Sequence, residues 1–253
     1  MGRIARSRLG ACGASTECHS VPHPTFAAMS IADNIRAFQQ ELTGTRCRLV
    51  AVSKTHPVEL IQEAYDAGQR LFGENRVQEL TAKQPALPAD IEWHLIGHLQ
   101  TNKVKYIAPF VHTIQSIDSL KLLLEVERQA ARHQRQIRVL LQFHIADEET
   151  KFGLSWEEAE AMLRDAAVQQ LQHVRIAGVM GIATNTDDES KLRQEFGTLR
   201  GYFERLKAEL LANNQEFSEI SMGMSGDYRL AIEEGSTLIR VGSAIFGHRA
   251  YPA

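Results

Sequence analysis

From Leu49 onward, short apolar runs alternate with longer stretches in which apolar residues recur every three or four positions. The short runs predict buried strands and the helical period predicts amphipathic helices between them. The strands fall at residues 48–53, 70–73, 91–96, 111–115, 137–144, 174–181, 218–222 and 238–241. Ahead of them Ile31, Ile35, Phe38 and Leu42 share one face, which predicts an extra N-terminal helix. Leu192, Phe196, Leu199, Phe203, Leu206 and Leu210 form one stripe along a helix from about Asp188 to Asn213, and packing accounts for that stripe without a partner. Ser155-Trp-Glu-Glu158 reads as a capping box, with Ala159, Met162, Leu163 and Ala166 on the inner face of the helix it opens. Strands spaced by helices pair in parallel through right-handed crossovers. Eight such units predict an α/β protein built as a single eight-stranded parallel β/α barrel of TIM type, with an open doubly wound sheet as the alternative.

Composition narrows the function classes. The chain has 253 residues, 43% hydrophobic and 23% charged, a size that suits one barrel domain over residues 29–253, where no Pro/Gly/Ser-rich linker intervenes. A net charge of -3 gives no general attraction to nucleic acid or to an acidic membrane surface. No apolar run approaches the roughly 20 residues of a membrane span. Cys12, Cys18 and Cys47 have no metal-knuckle or disulfide spacing, and a reducing cytoplasm is expected. Residues 1–28 are Arg/Ser/Gly/Pro-rich and read as a disordered leader, a transit peptide or a start site misplaced ahead of Met29, the last being favoured.

Candidate chemistry begins at Lys54, which closes the run Arg48-Leu-Val-Ala-Val-Ser-Lys54 and shares a strand face with Val50 and Val52. An amine pointing into a core is costly unless it loses its proton or gains a partner. An imine to an aldehyde cofactor such as pyridoxal phosphate relieves that cost. In β/α barrels phosphate commonly binds the loops after strands seven and eight. Met224-Ser-Gly-Asp227 and Gly242-Ser243 stand at that address, so Ser225, Gly226, Gly242 and Ser243 are candidate phosphate contacts. An ordinary helix-capping turn is the competing reading of the first loop. Arg240 shares a face with Leu238 and Gly242 and needs an acceptor. A pyridine nitrogen serves, and an arginine there keeps that nitrogen unprotonated; Glu219 or Glu233 is the structural alternative. His94 and His98 raise a zinc reading, but no further cluster completes a site and no metal is expected.

Seven segments, in order, resemble the pyridoxal-phosphate homeostasis protein family, which is related to the barrel domain of alanine racemase. They are Val50-Ala-Val-Ser-Lys-Thr55, Phe72-Gly-Glu-Asn-Arg-Val-Gln-Glu79, Glu92-Trp-His-Leu-Ile-Gly-His-Leu-Gln-Thr-Asn-Lys103, Thr150-Lys-Phe-Gly153, Gly178-Val-Met-Gly181, Ser221-Met-Gly-Met-Ser225 and Arg240-Val-Gly-Ser-Ala-Ile-Phe-Gly247. The resemblance implies that Lys54 is the Schiff-base lysine, that Ser225, Gly242 and Ser243 hold the phosphate, and that Arg240 meets the ring nitrogen. It further implies that Asn75, His94 and Ser116 line the cofactor's surroundings and that Lys151 lies near the ring hydroxyl. Helix caps for Asn75 and Ser116, a satisfied core histidine and a solvated loop lysine are the structural alternatives. Thr101 stands where the family usually has Ser, Val179 where it often has Leu, and residues 1–28 have no counterpart in the short bacterial members.

A racemase needs an acid and a base on opposite faces of its substrate. In related racemases a tyrosine of a separate C-terminal domain supplies the second, and this chain stops at Ala253, after the eighth unit. The expectation is therefore a monomeric, cytoplasmic protein that buffers pyridoxal phosphate and delivers it to apo-enzymes, with a racemase or decarboxylase as the alternative.

Overall fold

The eight expected strands close on themselves. A computed structural model describes residues 30–147 and 152–247, so the 1–28 leader and Lys151 lie outside the described residues. The strands are β1 (Arg48–Val52), β2 (Leu71–Glu74), β3 (Glu92–Leu95), β4 (Thr113–Ile117), β5 (Ile137–Phe143), β6 (Val174–Gly181), β7 (Glu219–Ser221) and β8 (Leu238–Val241). All neighbours are parallel, and β1 pairs with β8 through Arg48↔Leu238 to Ala51↔Val241, which completes the cylinder. The open-sheet alternative is excluded.

Side chains alternate across each strand. Leu49 and Ala51 face the helices and join the large outer core, whereas Val50 turns inward and packs with Leu140, Ala177, Met180 and Leu238 inside the barrel. The outer core seats α2 (Val58–Asp66), α3 (Val77–Lys83), α4 (Val104–Ile107), α5 (Leu120–Arg132), α6 (Trp156–Arg164), α7 (Glu189–Glu209) and α8 (Tyr228–Glu233). The capping box expected at Ser155 is present, its hydroxyl and the Glu158 carboxylate each accepting the other residue's N–H. The long helix is also present, opened by Asp188. It stops at Glu209, short of Asn213, with the Leu210 N–H bonded back to Leu206.

The extra helix, α1 (Ile31–Glu41), buttresses the end of the chain that follows β8. Ser30 caps it, and Ile35 and Phe38 are fully buried, each contributing about 1.5–3 kcal/mol of apolar burial. Asn34 Nδ2 donates to the Ile245 carbonyl at 3.0 Å, which ties α1 to the short α9 (Ser243–Phe246). Glu41 accepts from the Tyr228 hydroxyl at 2.9 Å and from Arg229 at 2.8 Å on α8. The two helices that flank the last strand are therefore held from outside by one element that the barrel itself does not require.

Candidate functional site

The C-terminal ends of the strands surround a cavity of about 560 Å³ lined by Lys54, Asn75, Ser225, Gly226, Arg240, Gly242 and Ser243. These are seven of the ten residues singled out in the sequence. Val52, His56, Ile96, Ile182, Met224 and Gly247 complete the lining. Ile96 and Ile182 directly follow β3 and β6, an address readable from strand ends.

The two phosphate-type loops meet. The Gly242 N–H donates to Ser225 Oγ at 3.3 Å, joining the turn after β7 to the turn after β8. A Cβ on Gly242 would lie 3.2 Å from the Val52 carbonyl oxygen, so the glycine lets β8's end approach β1 closely. Asp227 holds the first loop by accepting from the Met224 N–H at 2.5 Å. Burial raises the Asp227 carboxyl, with that N–H and Arg240 opposing.

Arg240 is 5% exposed and donates to Ser221 Oγ at 2.7 Å and to the Gly181 carbonyl at 2.9 Å. Neither alternative partner claims it, since Glu219 bonds Arg48 and Glu233 bonds Arg193. Burial pulls its guanidinium down to about 10 while Asp227 pushes the other way, which leaves a cation with unused N–H groups at the cavity floor.

The backbone on either side of Lys54 is clamped by a buried ionic cluster that the sequence reading missed. Thr55 has φ of 67°, a left-handed conformation that costs a β-branched residue on the order of 1–2 kcal/mol. Its N–H donates to Glu79 Oε2 at 2.8 Å. Lys83 Nζ donates to the Ser53 carbonyl at 2.9 Å and to Glu74 Oε1 at 2.8 Å, and Ser53 Oγ donates to the same carboxylate oxygen at 2.7 Å. Burial raises the Glu74 carboxyl, with Lys83 and Ser53 pulling it back. Glu79 is also raised by burial, but the Thr55 N–H and Lys83 outweigh this and hold it below the usual carboxylate range. The Glu79–Lys83 spacing of one helical turn was the available signal.

Three expected residues are not in the lining. His94 is buried inside the barrel but lines a second cavity, of about 390 Å³, together with Glu92, His112 and Thr113 from the starts of β3 and β4. Its place follows from height along the strand, since His94 sits one layer below Ile96. Ser116 is fully buried in β4, its hydroxyl without a partner among the described residues. Lys151 is outside the described residues. His98, weighed with His94 for zinc, instead contacts Asp118 at 3.1 Å and stacks on Phe152.

Residues 28–250 match the family described as alanine racemase, N-terminal domain, and the closed parallel barrel is that domain's class of fold. The barrel of alanine racemase from Bartonella henselae shares this fold, with a TM-score of 0.66 at 17% identity, over 86% of this chain and 58% of that one. Among curated relatives, a protein of Pasteurella multocida named pyridoxal phosphate homeostasis protein is 37% identical over 88% of this chain and 99% of its own length. One of the same name from Schizosaccharomyces pombe is 40% identical over 87% and 92%. The structure of PipY of Synechococcus elongatus without PLP matches with a TM-score of 0.80 at 38% identity, covering 86% of this chain and all of that one. Its structure with PLP bound matches at 0.77 and 37%. The chain belongs to the pyridoxal phosphate homeostasis protein family.

Proposed function

We propose that this chain binds pyridoxal phosphate in the cavity beside Lys54 and serves in its homeostasis, holding the cofactor and passing it to apo-enzymes with little or no catalysis of its own. The names of its relatives and the PLP-bound structure of PipY support this reading. The observation that carries it is the convergence of one lysine, a serine- and glycine-lined double turn and a buried arginine on a single cavity.

The residues fit the cofactor. Asn75 Oδ1, on the cavity lining, is a buried acceptor with no partner among the described residues, which a ligand's donor would satisfy. Ser225, Gly226, Gly242 and Ser243 hold the phosphate, with hydroxyl donors and the first N–H groups of α9, which lack acceptors within the helix. Arg240 donates to the ring nitrogen, and its permanent charge keeps a second proton off that atom. When bound, pyridoxal phosphate supplies an aldehyde open to attack by an amine, and Lys54 is the amine on the lining. The clamp of Glu74, Glu79 and Lys83 fixes the backbone from which Lys54 projects.

Two features support storage over turnover. An unprotonated ring is a poor electron sink. Among the described lining residues there is no tyrosine, and the ionisable groups are Lys54, His56 and Arg240. The protein is read as a monomer, because Tyr106 and Phe152 are the exposed large hydrophobics among the described residues. No described helix is long and apolar enough to cross a membrane.

The test is an absorbance spectrum with pyridoxal phosphate before and after borohydride, followed by peptide mapping. The expected result is a lysine-dependent band that Lys54→Ala abolishes and a reduced adduct on Lys54. The same spectrum from both proteins would refute the assignment, and substantial interconversion of single amino-acid enantiomers would favour the racemase reading.

A further inference from the structure

The second cavity opens at the opposite mouth of the barrel, where the strands begin. Glu92 and His94 stand two apart on β3 and so face the same side, and His112 directly precedes β4, whose Thr113 pairs with His94. The two imidazoles stack at 5.8 Å with an interplanar angle of 17°. One ligand atom from each of the three residues lies within 4.8 Å of the other two, and His112 Nε2 is 3.7 Å from Glu92 Oε2. Ligands on a tetrahedral ion at bond lengths of about 2.0–2.1 Å stand roughly 3.3 Å apart, so a modest contraction by side-chain rotation brings the set to bonding distance.

We propose that Glu92, His94 and His112 form a binding site for a divalent transition-metal ion of the zinc, cobalt or nickel type, with water completing the coordination. The proposal is independent of the cofactor reading.

The second observation is an orphan. His94 is 2% exposed, and its Nε2 is buried with no hydrogen-bond partner among the described residues. Its other nitrogen, Nδ1, is held by the Gln115 carboxamide at 2.8 Å, so Nε2 is the ring nitrogen left for a ligand. Gln115 Nε2 donates to Nδ1, which places the ring proton on Nε2. A half-turn of the isosteric carboxamide lets Oε1 accept from Nδ1–H, and the ring proton moves from Nε2 to Nδ1 through cavity water, leaving a lone pair for the metal with no net proton change. That is the second-layer arrangement metal-ligating histidines generally use. In it Ser221 Oγ accepts from both Gln115 and Arg240 and its own hydroxyl hydrogen gives up the Gln115 acceptor, a loss that the metal–nitrogen bond must offset.

The cavity's charges are mixed, and Glu92 is the carboxylate beside the two imidazoles. Arg48 and Arg138 line the same cavity as the two imidazoles. Arg48 bonds Glu219 at 2.5 Å, and Arg138 lies 3.6 Å from Glu219 and 3.7 Å from Glu216, which also pairs with Arg175, so the two carboxylates offset these charges in part. Arg46 also lines the cavity and adds a positive charge. Two imidazoles and one carboxylate select a borderline metal over magnesium or calcium.

Equilibrium dialysis of the chelator-stripped full-length protein against Zn²⁺ and Co²⁺ tests this, with the visible spectrum of the Co²⁺ form reporting its ligands. Binding of about one ion per chain is expected, with His112→Gln and Glu92→Gln each weakening it by at least ~10-fold while the circular dichroism and melting of the metal-free protein stay near wild type. His112→Ala gives a second variant should the glutamine act as a ligand. No binding, or binding that both His112 variants and Glu92→Gln leave unchanged, overturns the proposal; in the latter case the ion belongs to other residues, such as Cys12 and Cys18.

Discussion

Lys54 owes its position to its neighbours more than to its own strand. Residues Arg48–Val52 form β1, and the lysine lies two residues past the ladder, where a free loop would let it swing. Ser53 and Thr55 are instead each bonded to α3, through Lys83 and Glu79. Lys83→Met removes the ammonium from Glu74, which is fully buried, and an uncompensated buried carboxylate costs about 3–5 kcal/mol. Urea unfolding should show a loss of that size, and pyridoxal phosphate affinity should fall as Lys54 loses its support. Adding Glu74→Gln to Lys83→Met should recover much of the stability, because the stranded charge is gone. At this scale the places of Lys54 and Arg240 on the cavity lining were legible, because charge in an apolar run demands a reason. The clamp was not, since Glu74, Glu79 and Lys83 are ordinary residues until the fold brings α3 under the loop.

Strands and helices were legible to within a few residues, and the departures have local causes. The fourth strand runs Thr113–Ile117, later than residues 111–115, and its register shifts between Ile114 and Ile117. Both of those isoleucines pack into the outer core, so the irregularity turns Gln115 and Ser116 away from it, a change of facing no period-two pattern announces. The place of His94 beside the second cavity was not legible, because period two gives the face of a side chain and not its height along the barrel. A second device at this scale joins α5 to β6. The Glu127 carboxylate accepts from the N–H groups of Gln172, His173 and Val174, at 2.8 Å for the last. Burial raises its pKa, but those three N–H groups and the His173 ring outweigh it and hold the carboxyl below its ordinary value. A lowered carboxyl stabilises the fold above its unfolded pKa, and that contribution is lost as pH falls through the folded one. Glu127→Gln should therefore lower stability at neutral pH by about 1–3 kcal/mol and flatten the acid side of the stability profile below roughly pH 4.5. Thermal melts from pH 3 to pH 7 read both effects.

Across the whole molecule, the two mouths of the barrel are joined by one hydrogen-bonded line through its interior. Arg240 donates to Ser221 Oγ, Ser221 donates to Gln115 Oε1 at 2.7 Å, and Gln115 Nε2 meets His94 Nδ1 at 2.8 Å. Without a metal the line runs from Arg240 towards His94, because the guanidinium can only donate and Ser221 passes its own proton to Gln115 Oε1. The apolar part of the interior, Val50, Leu140, Ala177, Met180 and Leu238, comes from β1, β5, β6 and β8, while the line draws on β3, β4, β7 and β8. Gln115 is the residue on which the line depends, since it bonds in both directions and is fully buried. Gln115→Leu is close in volume but leaves the Ser221 hydroxyl without an acceptor and His94 Nδ1 without a donor. Each buried orphan costs about 1–3 kcal/mol, so the variant should lose roughly 2–6 kcal/mol in urea unfolding. Ser221 is then free to turn away from Arg240, so pyridoxal phosphate affinity should fall as well. Normal stability in the variant would mean that the line is not a continuous support. Lost stability with unchanged affinity would mean that Arg240 is held well enough by the Gly181 carbonyl alone.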